Sequence, residues 1–347
     1  MKKINLTLTA LIATTLSINV MAAKNVFYPN AKAPKIQFLQ TINGSNFLHD
    51  ASSKYGNRFP GWTPPVQKEK KPIYKAFGTT LKNGTLYVAD ATKRIIHAYD
   101  MKAKTAIKIG AKKLKRPLAI AVDNEGFKYV ADMDKKRIVV FNSINAVDRE
   151  LGNDNLRPAD IKIFKNQLYV LDLKESQVVV MNKRTGQEIR RIGRRGSDKG
   201  ELFYPTNIAL TQTGEILVSD TLNGRVEKFS NNGEFQGVLG TMDRAIGSFA
   251  RPKGIAVDKA GRVYVADSAF ENVQIFNKAN ELLLFFGEAG NTKAGLNMPS
   301  KITIDYDHTS YFKNKVAKGY EIDYLVLVSS TFGNNKVNVY GFLKEKK

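Results

Sequence analysis

The side chains able to do chemistry in this 347-residue chain are few. There is no cysteine, which excludes thiol catalysis, iron–sulfur ligation and covalent c-type haem attachment. The three histidines are His49, His97 and His308. His49 lies in an aromatic and proline-rich stretch, His97 in the apolar run Ile95-Ile96-His97-Ala98-Tyr99, and His308 in a late insertion. Positions so unrelated argue against a shared zinc site, so no metal is assigned. The aspartates are more regular. Asp90, Asp132, Asp172, Asp220 and Asp267 each close a short apolar run, as in Tyr129-Val130-Ala131-Asp132. One carboxylate per repeat, always at the same place, reads as a turn cap whose oxygens accept backbone N–H groups of the following loop. Asp123, Asp258 and Asp305, at the ends of other short runs, read the same way. No nucleophile elbow, phosphate loop or acid–base pair of carboxylates stands out, so no catalytic residue and no cofactor is assigned.

The elements that hold these aspartates follow from their spacing. Tyr87-Val88-Ala89-Asp90, Tyr169-Val170-Leu171-Asp172, Leu217-Val218-Ser219-Asp220 and Tyr264-Val265-Ala266-Asp267 repeat the pattern, and Leu327-Val328-Ser329-Ser330 is a sixth copy with serine for aspartate. Successive aspartates fall about 40 to 48 residues apart, the period of a four-stranded propeller blade. β-branched runs separated by Gly and Asp read as antiparallel strands. A proline precedes each copy (Pro72, Pro117, Pro158, Pro205, Pro252, Pro299), at the strand entry where a missing N–H costs least. A third strand follows each copy, as in Arg137–Phe141 and Arg225–Phe229. Five fourth strands come next, ending near Gly110, Gly152, Gly193, Gly240 and Gly287. The sixth is found at the other end of the chain, in Lys35 to Ile42, so the chain starts with the outer strand of the blade it finishes last. Closure of that kind removes free sheet edges. The expected fold is therefore all-β, a six-bladed β-propeller of four-stranded antiparallel blades closed by an N-terminal strand.

The copies of RPxxIAVD and YVADxxxxRVxxF, clearest over Arg251 to Phe276, resemble the NHL-repeat family of β-propellers, in the form found in exported bacterial proteins. The resemblance runs from about Ile36 to Tyr340. It implies the fold and leaves function open, because the same scaffold carries binding modules and enzymes. A lyase branch of such propellers uses several channel histidines, a set this chain lacks.

Residues 1–23, MKKINLTLTALIATTLSINVMAA, carry a basic start, a modest apolar run and a small-residue end, and read as a secretory signal. Residues 24–347 then form one propeller domain, exported to the periplasm or beyond, and no later segment is apolar enough to span a bilayer. Two stretches break the repeat. Residues 43–71 hold Trp62, Phe47, Tyr55 and Phe59 and read as a long loop over one face, with Trp62 a possible docking anchor. Residues 306–323, between the first two strands of the last blade, read as an elaborated hairpin.

The formal charge of +22 stands out. Arg116, Arg157 and Arg251 directly precede entry prolines, Lys71 does so in blade one, and Arg194 and Arg195 sit in a connection between blades. Such positions emerge on one face and sum their fields at its centre. The sequence therefore predicts a non-enzymatic binding scaffold whose basic face docks an anionic partner, either an acidic envelope protein or a polyanionic glycan, and the family resemblance adds an electron-transfer protein to these. Nucleic acid fits less well, because no aromatic residues interleave with the basic loops to stack bases. The alternative is a propeller-type lyase or hydrolase acting in the central channel. It requires polar residues converging from the first strands of several blades; those strands are mostly small and apolar, with Asp160, Asn207 and Lys301 as exceptions.

Overall fold

The computed structural model describes residues 26–44 and 73–346. Residues 1–23, where a secretory signal was expected, the proline Pro72 and most of the 43–71 stretch, including Lys71 and Trp62, lie outside the described residues. Six antiparallel sheets form the ring, five of them four-stranded and one five-stranded. The innermost strands are Ala76–Lys82, Pro117–Val122, Pro158–Phe164, Pro205–Leu210, Pro252–Val257 and Pro299–Asp305, for blades 1 to 6. Each blade then runs outward through a second strand that ends in aspartate (Ser330 in blade 6), a third strand and a half-exposed outer strand, except that blade 6 takes its outer strand from the N-terminus.

That outer strand is Ile36–Ile42. It pairs antiparallel with Val337–Glu345, setting Ile36 opposite Phe342 and Ile42 opposite Val337. Ile36 and Ile42 are fully buried, so closure of the ring is also burial of core. A two-residue strand, Phe27–Tyr28, adds a fifth member beyond it, which the repeat pattern did not announce. Tyr28 packs its ring 6.0 Å from Phe286.

The 306–323 insertion holds a short 3-10 turn, Thr309–Lys315, and the start of an extended second strand, Tyr320–Ser330. Its Phe312 is buried with Leu39, Ile42 and Leu325. The side chain of Gln37 donates to the Lys315 carbonyl at 2.8 Å and accepts from the Ala317 N–H at 3.0 Å. The insertion thus fastens the closing strand.

One local feature recurs in all six blades. The first residue of each innermost strand pairs with the last residue of the aspartate run (Pro117 with Asp132, Pro158 with Asp172, Pro252 with Asp267), and the register shifts immediately afterwards. In blade 1 this first residue is Ala76, opposite Asp90, so blade 1 enters without proline and Lys75 stands where the basic residue was expected at Lys71. A bulge of this kind turns the next residues toward the ring axis.

Candidate functional site

The repeat aspartates act on two loops at once. Asp132 accepts from Lys115 and Arg116 N–H in the connection entering its blade, and from Lys135 N–H in the turn after it. Asp267 does the same for Ala250, Arg251, Ala269 and Phe270, and Asp90 for Tyr74, Lys75, Thr92 and Lys93. Asp172 takes Arg157 and Lys174 N–H, and Asp220 takes Phe203 N–H with the amide of Asn223. His97 is buried beside Asp90, 3.3 Å from its Oδ2. His308 holds Asp305 through Nδ1 at 2.8 Å and accepts Gly84 N–H on Nε2. His49 lies outside the described residues.

The cations singled out in the sequence lie in loops of several blades. Arg116, Arg157 and Arg251 occupy equivalent exposed positions on blades 2, 3 and 5, but Tyr204 and Met298 take that place in blades 4 and 6. Arg116 reaches Asp134 at 3.8 Å, Arg194 pairs with Glu201 at 2.7 Å, and Arg195 donates to the Lys174 carbonyl. Several neighbours are likewise paired inside the protein, Arg137 with Asp154 at 3.1 Å and Lys135 with Glu150.

The side chains that do converge are in the channel. The third residue of each innermost strand, just past the bulge, gives a tier of six: Gly78, Ala119, Asp160, Asn207, Gly254 and Lys301. Blades 3 and 6 face each other across a six-membered ring, so Lys301 spans the bore to reach Asp160, and its Nζ bonds the Asp160 Oδ2. Nζ also reaches the Asn207 Oδ1 at 3.2 Å, while the Asn207 amide donates to the Ser300 carbonyl at 3.2 Å. Asp160 accepts two backbone N–H groups besides, Ile161 at 2.8 Å and Ile208 at 2.9 Å. Small residues elsewhere in the tier bring the strands together. A Cβ on Gly78 would lie 2.6 Å from the Ala119 Cα, and one on Gly254 would lie 3.0 Å from the Lys301 backbone.

Both members of the ion pair are almost wholly buried, Lys301 at 4% exposure and Asp160 at 1%. Burial drives the Lys301 ammonium down to about 8; the Asp160 carboxylate opposes that drop and the nearby Lys162 charge adds to it. An amine in that range is partly free of its proton near neutral pH, which an ordinary lysine is not. The next tier, the fifth residue of each strand, consists of Thr80, Ala121, Lys162, Ala209, Ala256 and Thr303. Three alanines and two threonines leave the half-buried Lys162 as the charged group on that side of the pair. The Thr303 hydroxyl donates to the Thr79 carbonyl at 2.9 Å.

The profile of the NHL repeat matches residues 249–276, which are the connection into blade 5 and its first three strands. The chain is a six-bladed β-propeller, and this stretch of it carries an NHL repeat. Among solved structures, virginiamycin B lyase from Staphylococcus aureus is 11% identical, with a TM-score of 0.52 over 78% of this chain and 85% of that one. A gluconolactonase from Xanthomonas campestris is 13% identical, TM-score 0.58, over 78% of this chain and 87% of its own. Regucalcin from Agrobacterium tumefaciens, described as a calcium-binding protein, is 12% identical, TM-score 0.57, over 80% and 93%. At such identities the likeness concerns the fold.

These findings correct the expectation of a non-enzymatic scaffold docking an anionic partner. The propellers of this shape include a lyase and a gluconolactonase, and the channel holds the convergent polar set that the enzymatic alternative requires. A calcium ion does not fit that set. Calcium takes six to eight oxygens, whereas here one carboxylate and one amide oxygen already enclose an ammonium. Among the described residues no group of three or more His, Asp or Glu is placed to hold a metal, and no helix is long and apolar enough to cross a membrane.

Sequence reasoning noticed Asp160, Asn207 and Lys301 as departures from apolar strands but did not place them in one tier. The bulge supplies the missing information, because it makes the third residue the one that faces the axis. Counting two residues on from each entry proline would have aligned them.

Proposed function

We propose that this propeller is an enzyme of the lyase or hydrolase kind acting on a small molecule in its central channel, with Lys301 as the general base. The observation that carries this reading is the meeting of Lys301, Asp160 and Asn207 from blades 6, 3 and 4 at one level of the bore. A base is most effective when its proton affinity lies near the working pH, and burial has brought the lysine there. Asp160 and Asn207 orient the amine. Lys162, on the adjacent tier, is the group available to steady negative charge that develops as the substrate loses its proton or takes up hydroxide. Ring esters are the first substrates to try, because solved structures of similar fold include a gluconolactonase and a lyase of virginiamycin B. Export directed by residues 1–23 would place the activity outside the cytoplasm.

Purified protein would be assayed against a panel of sugar lactones and cyclic peptide lactones such as quinupristin, alongside Lys301→Met. Ring opening by the wild type that falls by a factor of 10² or more in the variant is the expected result. Equal turnover by both proteins would remove Lys301 from the chemistry, and an inert wild type across the panel would remove this substrate class.

A further inference from the structure

Two clefts between blades are built alike and filled differently. Between blades 5 and 6, Asp258 follows the innermost strand, takes the Arg262 N–H on Oδ1 at 2.9 Å, and takes the Tyr264 hydroxyl on Oδ2 at 3.4 Å. Between blades 2 and 3, Asp123 takes the Phe127 N–H at 2.9 Å and the Tyr129 hydroxyl at 3.3 Å in the same manner. A cation completes each, Arg262 on Asp258 and Lys183 on Asp123 at 2.9 Å.

The blade 5–6 cleft is closed by Tyr324 of blade 6. Its hydroxyl bonds the Asp258 Oδ2 at 3.1 Å, the Tyr264 hydroxyl at 2.5 Å and the Arg262 Nη2 at 2.9 Å, and its ring stacks on Phe342 at 4.7 Å. Tyr324 exists because the second strand of blade 6 starts early, at Tyr320. Blade 3 has the exposed turn residue Asn166 at that place, six residues before Asp172 as Tyr324 is six before Ser330. The blade 2–3 cleft is accordingly open, with a cavity of about 260 Å³ lined by Asp123, Phe127, Tyr129, Arg149 and Lys183. Arg149 lies over the Phe127 ring at 5.6 Å, and its buried Nε has no hydrogen-bond partner. Burial raises the Tyr129 phenol to about 12, so it remains a donor.

We propose that the blade 2–3 cleft is a binding site for a hydroxyaromatic small molecule, whose phenolic hydroxyl sits against Asp123 and Tyr129 as the Tyr324 hydroxyl sits against Asp258 and Tyr264. The protein itself shows which chemistry this platform accepts. A carboxylate held by a cation and a neutral tyrosine takes a phenol O–H, and Phe127 and Arg149 offer a face to the ring. Size agrees, since a cavity of about 150 Å³ accepts benzene and this one is larger. The site is separate from the channel and independent of its chemistry.

p-Cresol and toluene are the probes, measured by calorimetric titration and ligand-observed NMR on the full chain. One equivalent of p-cresol is expected to bind with a Kd of about 1 mM or tighter, and toluene at least tenfold more weakly. Asp123→Asn removes the charged acceptor and weakens p-cresol by about tenfold or more. Should that variant unfold through loss of the Lys183 pair, Phe127→Ala, at a half-exposed site, serves instead and abolishes saturable binding. Tyr264→Phe, in the filled cleft, leaves binding unchanged. Toluene binding as well as p-cresol, p-cresol binding undiminished in Asp123→Asn or Phe127→Ala, or no saturable binding to the wild type would each overturn the proposal.

Discussion

Replacing Lys301 with Met tests whether the channel tier is the integrated unit its geometry describes. Methionine fills the same bore but leaves Asp160 buried at 1% exposure with two backbone N–H donors as its remaining partners. Breaking a buried pair by removing one member costs roughly 3–5 kcal/mol, and the two retained hydrogen bonds favour the lower end, about 3 kcal/mol. The pH dependence adds a signature. The folded-state value of Lys301 is about 8 against 10.5 unfolded, so within that window the unfolded chain binds the proton more tightly. Stability from this group therefore rises as pH increases from 8 toward 10.5, by about 1.4 kcal/mol per unit, or roughly 2 kcal/mol between pH 8 and 9.5. Lys301→Met lacks that rise. Guanidinium unfolding of both proteins at pH 7, 8, 9 and 9.5 would read both effects as the gap between two curves. A gap below about 1 kcal/mol at pH 7, or one that stays constant or narrows as pH rises, refutes the reasoning.

Other parts of the structure make equally definite predictions. Gly78→Ala would destabilise more than Gly254→Ala, because the added carbon meets backbone at 2.6 Å in one case and 3.0 Å in the other; comparing their denaturation midpoints decides it. Ile42→Ala, in the fully buried closing strand, should cost about 2–5 kcal/mol, and deleting residues 35–42 should abolish cooperative unfolding of the whole ring; a truncated protein melting at the wild-type temperature would contradict the closure. Glu227, raised by burial to about 7, binds its proton more tightly folded than unfolded, so its contribution to stability is lost as pH rises from 4.5 through 7. Glu227→Gln keeps an acceptor for the Gly200 N–H, as Gln274 does for Gly247, and should flatten that decline by on the order of 2 kcal/mol in urea titrations at pH 5 and 8.

The ring was legible because each blade repeats a local pattern, an entry residue, an aspartate-closed strand and a third strand, and because the odd strand at Lys35 to Ile42 could be counted. Blade 1 was misplaced by a few residues, since Pro72 imitates an entry proline while Ala76 makes the pairing with Asp90. The site was less legible for a different reason. Charge is visible in sequence but its pairing is not, so Arg194 and Arg116 were read as cations of a basic face with no sign of their partners Glu201 and Asp134. Conversely, Asp160 and Lys301 stand 141 residues apart and meet only because half a ring separates them. Tyr324 carries the same lesson, because its role depends on where an extended strand begins, which an irregular insertion hides.

The most direct test of the channel chemistry is the pH dependence of kcat/KM for ring opening by the wild-type protein. With Lys301 as the base, the rate climbs through a single limb with a midpoint near 8, matching the burial-lowered amine, and Lys301→Met loses both the limb and the activity. A flat profile, a limb that survives in Lys301→Met, or no ring opening of any lactone between pH 6 and 10 would contradict it.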